Sequence, residues 1–147
     1  MRVSFDFDDT LDQPDIWEYA LELIDRGVDV FIVTARLDDD NVEREYGRKV
    51  GNRIHIPSWA GNDDIYAQAK AMGIPKDQIV FTNLLGKGSW FKRHPNFEWH
   101  LDDSVKQIWD VENMTNVPAI NSTNPNWKKK CEYLIHKRDT HKYLKRA

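Results

Sequence analysis

Two carboxylates follow directly on the first apolar stretch of the chain. The segment 3–11 (VSFDFDDTL) leads from β-forming residues into Asp6 and Asp8. Because side chains alternate along a strand, we expect these carboxylates to lie on one side of it, roughly 6–7 Å apart. Like charges this close are unfavourable unless a cation or a shared proton lies between them, and Mg²⁺ prefers carboxylate oxygens. The alternative is that Asp8, Asp9 and Thr10 only form a turn that caps the following helix.

Apolar strands alternate with helical patterns along the whole chain. Strands are predicted at 3–7, 28–35, 79–82, 97–101 and 117–120, and helices at 14–26, 41–50, 64–72, 90–93, 105–112 and from 127 onwards. A strand, a helix and a second strand in succession form a βαβ unit, in which the two strands are parallel. The sequence therefore predicts an α/β fold: a Rossmann-like, mainly parallel sheet with helices on both faces.

Polar residues stand where the predicted strands end. Four strands end in such residues: Asp6 and Asp8, Thr34, Thr82 with Lys87 beyond it, and Asp102 with Asp103. In a parallel sheet the carboxyl ends of the strands meet in one crevice, where open α/β sheets bind their ligands. We therefore expect these side chains to form a single site.

An acidic metal site with a hydroxyl and an ammonium donor suits phosphoryl transfer, which depends on positioning and charge neutralisation. One carboxylate can attack phosphorus and form an aspartyl-phosphate, and a second can protonate the leaving oxygen and later deprotonate water. Mg²⁺ would offset the repulsion between the nucleophile and the phosphate. Thr34 and Lys87 would hold the phosphoryl oxygens.

Three segments carry a resemblance to the haloacid dehalogenase (HAD) superfamily. Residues 6–11 (DFDDTL) resemble its first motif, Asp-x-Asp-x-Thr after a hydrophobic strand. Residues 32–36 (IVTAR) resemble the second motif, and residues 101–104 (LDDS) resemble the acidic fourth motif. The third motif is a single lysine, for which Lys87 is the first choice and Lys92 the alternative.

The resemblance implies a role for each matching residue. Asp6 would be the nucleophile and Asp8 the general acid and base. The resemblance places Mg²⁺ on the Asp6 side chain, the Asp8 backbone carbonyl and Asp103, with Asp102 in support. Thr10 would steady the first loop and, with Arg36, belong to the substrate-binding part of the site.

The resemblance also implies a single core domain without a large cap. Residues 1–120 are expected to form this core, and residues 121–147 a linker and a basic helix that packs on it or extends from it. Residues 52–61 are the one candidate for a partial lid. The segment 126–147 carries eight Lys and Arg against two acids, so it can contact a polyanion, although it can equally be the solvated face of a terminal helix.

Composition sets the broad class. A chain of 147 residues with 40% apolar and 31% charged residues is typical of one globular domain. The single cysteine, Cys131, excludes an internal disulfide and a cysteine-based zinc site. The chain shows neither a run of 18 apolar residues nor the pattern of a signal peptide, so a cytoplasmic location without membrane attachment is expected.

These observations predict a Mg²⁺-dependent phosphomonoester hydrolase, whose substrate would be a nucleotide or a nucleic-acid end. Arg36, the basic tail and aromatic residues such as Trp59 and Trp90 support this choice of substrate. The alternative function is a non-catalytic or slow HAD-like module that binds a nucleotide or nucleic acid. A phosphate-accepting receiver domain is disfavoured, because its acceptor Asp would close the third strand, where Thr82 stands.

Overall fold

Five parallel strands form the central sheet of the computed structural model, which describes the backbone of residues 1–146 and the side chains of residues 1–138. In chain order the strands are β1 (Arg2–Phe5), β2 (Asp29–Thr34), β3 (Arg48–Val50), β4 (Arg53–His55), β5 (Ile79–Phe81), β6 (His100–Asp102) and β7 (Ala119–Asn121). The sheet has the order β5-β2-β1-β6-β7, and all neighbours in it are parallel. The predicted α/β class is confirmed.

Helices cover both faces of this sheet. They are α1 (Pro14–Asp25), α2 (Asp39–Tyr46), α3 (Asp63–Met72), α4 (Lys87–Arg93), α5 (Val105–Met114) and α6 (Trp127–Arg146). Side chains alternate along a strand, so Ile32 packs with α1, α3 and the start of α6, whereas Val33 packs with α4 and α5. Within residues 1–146, no helix is long and apolar enough to cross a membrane.

The predicted helix 41–50 is shorter in the structure. It ends at Tyr46, and β3 and β4 follow as a separate antiparallel hairpin. Gly47 permits the change of direction, since a side chain there would collide with the carbonyl oxygen of Glu43. Gly51 adopts φ +65° in the two-residue turn of the hairpin, a conformation that glycine takes without strain.

Two other predicted boundaries also move. The strand expected at 97–101 begins only at His100, because Phe97 donates its N–H to the carbonyl of Pro95 in a turn. Helix α4, expected from Trp90, begins at Lys87. Lys87 was expected in a loop, and its position at a helix start fixes the direction in which its side chain leaves the backbone.

Trp99 lies at the centre of the larger core cluster. It is fully buried, packs edge-to-face on Phe5 at 5.3 Å and stacks with Tyr19 at 6.4 Å. Its indole Nε1–H donates to the carbonyl of Cys131 in α6 at 3.1 Å. Cys131 and Ile135 are themselves buried in this cluster, so the first part of α6 packs on the sheet. The side chains of residues 139–147 in the predicted basic helix lie outside the described residues.

We predict that Trp99→Phe destabilises the protein by about 2–4 kcal/mol, because it opens a cavity and leaves the Cys131 carbonyl without its donor. Urea unfolding monitored by circular dichroism measures the effect. Trp109→Phe is the matched control, since Trp109 is 68% exposed, and it should change stability by less than about 0.5 kcal/mol. Equal effects at the two positions would contradict the assigned core.

Candidate functional site

The chain leaves β1 through a sharp turn that separates the first two carboxylates. The strand ends at Phe5, Asp6 is extended, and Asp9 adopts the left-handed region at φ 57°. Asp6 is buried with 7% exposure, whereas the side chain of Asp8 is 52% exposed. The expectation that both acids leave one face of a strand is therefore wrong, because the turn Phe7–Leu11 interrupts the alternation.

Lys87 is buried between two carboxylates. Its Nζ donates to Asp6 Oδ1 at 2.8 Å and to Asp102 Oδ2 at 2.6 Å, and the residue is only 1% exposed. The register of β1 and β6 explains why both acids reach Lys87. Phe5 pairs with Leu101, and the next residue on each strand is Asp6 or Asp102. Lys92, the alternative lysine, lies exposed on α4. The structure thus brings Lys87, and not Lys92, to the carboxyl ends of the central strands.

Helix α5 fixes the backbone around Lys87. The Lys87 N–H donates to Gln107 Oε1 at 3.0 Å, and the Gly88 N–H donates to Asp110 Oδ2 at 2.7 Å. A Cβ at Gly86 or Gly88 would lie within 3 Å of Asp110 atoms. The two glycines that flank Lys87 are therefore required for the close approach of α4 and α5, and this contact aims the ammonium group at Asp6.

Asp102 is held by a buried chain of hydrogen bonds. Its Oδ2 also accepts from His100 Nε2 at 2.8 Å, and its Oδ1 accepts from the Ser104 N–H at 3.0 Å. His100 Nδ1 lies 2.8 Å from Ser4 Oγ. Burial lowers the pKa of His100, so the ring is neutral; with Nε2–H directed at the carboxylate, Nδ1 accepts from the Ser4 hydroxyl.

Sequence reasoning left His100 unassigned and did not consider Ser4. Both lie directly opposite each other on neighbouring strands, as the register of β1 and β6 shows. The available signal was the period of two: His100 and Asp102 are polar residues at alternate positions of a buried strand. Such residues need hydrogen-bonding partners in the interior.

Asp6, Asp102 and Asp103 together form a cluster that could hold a metal ion. One carboxylate oxygen from each lies within 4.8 Å of the others. Asp103 Oδ1 accepts from Thr10 Oγ1 at 3.1 Å, which orients this carboxylate towards Asp6. Lys87 bonds to Asp6 and Asp102, so three acidic groups have a single ammonium group among the described residues near them. The cluster therefore keeps a negative charge that suits a hard cation bound by oxygen ligands.

Arg36 bridges the first loop and α3. Its guanidinium donates to both oxygens of Asp8, to both oxygens of Asp64 and to the carbonyl of Gly61. It also lies over the Phe7 ring, 5.4 Å from the centroid. The bonds to Asp64 and Asp8 raise the pKa of Arg36, and its charge in turn lowers the pKa of Asp64. All five N–H groups are committed, so the prediction that Arg36 binds substrate stays a prediction.

The two threonines of the predicted site are both buried. Thr34 closes β2 with 1% exposure, and its Oγ1 accepts from the Arg36 N–H at 3.3 Å. Thr10 is fully buried and its hydroxyl hydrogen is directed to Asp103. Thr10 thus stabilises the first loop against β6, and its predicted contact with substrate stays a prediction.

The two carboxylates that Lys87 contacts differ in protonation because their hydrogen-bonding partners differ. Burial raises the pKa of Asp6 to about 8, Lys87 opposes this rise, and Asp102 and Asp103 add to it. For Asp102 burial acts in the same direction, but the hydrogen bond from His100 and the charge of Lys87 prevail and lower its pKa. In the absence of a bound metal ion, the Asp6 carboxyl group therefore retains a proton at neutral pH.

This proton predicts a pH dependence of stability in the metal-free protein. The folded state holds it up to about pH 8, whereas an unfolded Asp6 releases it near 3.8. The stabilisation is complete below the unfolded value and is lost as pH rises through the folded one. In EDTA we expect unfolding free energy to fall as pH rises from about 5 to about 7, with a slope approaching about 1.4 kcal/mol per pH unit.

Urea titrations of wild type and Asp6→Asn across this interval measure the slope. The variant should lack the Asp6 contribution, while the effects of His100 and Cys131 cancel in the comparison. Parallel curves for the two proteins would show that Asp6 does not carry the proton.

No protein-family model matches the chain, and no curated protein sequence matches it.

Proposed function

We propose that the protein is a Mg²⁺-dependent phosphomonoester hydrolase of HAD-like type that forms an aspartyl-phosphate on Asp6. The observation that carries the proposal is the contact of Lys87 with Asp6 and Asp102, beside Asp103 and at the carboxyl ends of parallel strands. An ammonium group and clustered carboxylates at this position suit the binding and transfer of a phosphoryl group.

In the first step, the Asp6 oxygen that is free of Lys87 donates an electron pair to phosphorus. The bond between phosphorus and the leaving oxygen breaks, and Asp8 supplies the proton for that oxygen. In the second step Asp8 takes a proton from water, the water oxygen attacks phosphorus, and the Asp6 carboxylate is restored as inorganic phosphate leaves. Lys87 and Thr34 are proposed to hold the phosphoryl oxygens.

Asp6 and Asp103 are proposed to hold Mg²⁺ with their carboxylates, together with the Asp8 carbonyl, while Asp102 orients Lys87. When bound, Mg²⁺ supplies the positive charge that offsets repulsion between the Asp6 carboxylate and the phosphate. Both oxygens of Asp102 already accept hydrogen bonds, which favours a supporting role for it.

Arg36 has a positioning role in this proposal. It donates two hydrogen bonds to the Asp8 side chain at the exposed edge of the site. Because Asp8 donates a proton in the first step, we propose that substrate binding releases one Asp8 oxygen from the guanidinium and that this oxygen takes up a proton from solvent.

The test is hydrolysis of p-nitrophenyl phosphate with Mg²⁺. Asp6→Asn removes the nucleophile with little change in volume and should lower turnover at least about a thousandfold. Asp8→Asn removes the acid and base and should cost about a hundredfold or more. EDTA should abolish the activity of the wild type.

Asp9→Asn is the matched control for these variants. Asp9 belongs to the same loop, is exposed and has a left-handed backbone that Asn also tolerates. It should keep turnover close to that of the wild type. The proposal is refuted if Asp6→Asn keeps full activity or if the wild type hydrolyses none of the phosphate esters offered. A wild type that hydrolyses none of them but binds nucleic acid would favour the binding-module alternative.

A further inference from the structure

A pocket of about 320 Å³ opens beside Asp8 and Arg36. Its lining includes Tyr46 and Trp59, whose rings meet edge-to-face at 5.0 Å. Trp59 is 74% exposed, which is unusual for so large an aromatic side chain. A pocket with an aromatic wall next to the proposed acid and base is suited to the organic part of a phosphate ester.

Leu84 belongs to the same pocket and is held in a strained conformation. It is 73% exposed and has φ 66°, directly after Asn83 with φ 56°. The Asn83 side chain accepts from the Asp38 N–H at 2.8 Å, and the Leu84 N–H donates to the Ala35 carbonyl at 2.7 Å. Consecutive left-handed residues other than glycine are unfavourable and concentrate at binding sites. The loop thus fixes an apolar side chain at the pocket instead of burying it.

The hairpin β3–β4 adds positive charge to the same region. Residues 47–62 contain Arg48, Lys49 and Arg53 and no Asp or Glu. These three cations are exposed, and none has an ion-pair partner among the described side chains. The segment begins directly after Tyr46 and includes Trp59, so the hairpin lies along the chain between two residues that line the pocket.

The register of β3 and β4 places Arg48 and Arg53 on the same face of the hairpin. Arg48 pairs with His55, and Val50 pairs with Arg53, so these four side chains share one face. Ile54 lies on the other face, where its Cγ2 approaches Gly47 at the end of α2. The face with both arginines is therefore directed away from Gly47. Its strands of three residues span roughly 7–10 Å, the length of two or three stacked nucleotides.

We infer that the hairpin and its pocket bind the last nucleotides of a single-stranded nucleic acid, whose terminal phosphate enters the acidic site. Trp59 stacks on the terminal base, and Arg48 and Arg53 neutralise the neighbouring backbone phosphates. The inference rests on the proposed function for the phosphate position. Trp59 follows the last residue of β4 by four positions, so one short segment combines an exposed aromatic side chain with unpaired cations, which suits the binding of single strands. A free nucleotide would leave the arginine face without a ligand.

A binding titration tests the inference independently of hydrolysis. The probe is a short fluorescent oligodeoxynucleotide with a terminal phosphate, titrated by anisotropy at constant Mg²⁺ and several NaCl concentrations. Every protein in this titration carries Asp6→Asn, so that the phosphate is not hydrolysed. Trp59→Ala should weaken binding about tenfold. The double variant Arg48→Gln/Arg53→Gln should reduce the slope of log K against log salt by about 1.4, the amount expected for two phosphate contacts.

Lys70→Gln/Lys106→Gln is the charge-matched control, because both lysines are exposed, on α3 and α5, and the double variant removes the same charge. It should leave affinity and slope close to wild type. Three results would each overturn the inference. The control could lose as much affinity as the hairpin variant, the hairpin variants could bind as tightly as wild type, or the protein could bind a mononucleotide and the oligonucleotide with equal affinity. Circular dichroism establishes that each variant is folded.

Kinetics separate this inference from the proposed function. With oligonucleotide and mononucleotide phosphates as substrates, the hairpin double variant should reduce the preference for the oligonucleotide about tenfold. An unchanged preference in an active enzyme would overturn the hairpin assignment and leave the hydrolase proposal standing. If the protein binds the oligonucleotide through the hairpin but hydrolyses no phosphate ester, the hairpin assignment stands and the hydrolase proposal fails.

Discussion

Lys87 places its ammonium group between Asp6 and Asp102 in the interior of the protein, and much of the surrounding structure serves that contact. A buried cation with two carboxylates is stable only when geometry and hydrogen bonds are nearly complete. The glycines beside Lys87 let α4 approach Asp110, and the network through His100 satisfies Asp102. The parallel register of β1 and β6 then presents both acids to one side chain.

The charge balance of the cluster connects this fold to its proposed chemistry. Asp103 adds a third carboxylate and no further lysine lies among the described buried residues, so the cluster remains anionic. A cation can complete it, and a phosphate can then approach. Asp8, by contrast, lies at the exposed edge, where Arg36 connects it to α3 and to the chain that follows the hairpin. Buried residues thus form the proposed phosphoryl site, while exposed ones line its entrance.

Much of the fold could be predicted from local patterns. The strand at residues 29–34 is apolar on both faces, and Gly73 ends α3 with a left-handed residue, so pattern and structure agree there. Lys87 could be selected because it follows a buried strand. The turn at Asp8 and Asp9 agrees with the alternative interpretation of that segment. The hairpin at 48–55 was not predicted, since a close backbone approach at Gly47 decides where α2 ends. His100 was missed because its role depends on Ser4, which is 96 residues away in sequence.

A double-mutant cycle on Lys87 and Asp6 in metal-free protein tests the central contact most directly. Lys87→Met alone should cost about 3–5 kcal/mol, because it leaves the buried Asp102 carboxylate without its cation and the Asp6 carboxyl group without its hydrogen-bond donor. In the Asp6→Asn background the same substitution should cost clearly less, with a coupling energy of at least about 1 kcal/mol. Urea unfolding of the four proteins gives this energy. Additivity within about 0.5 kcal/mol would contradict the account, since Lys87 and Asp6 would then not interact.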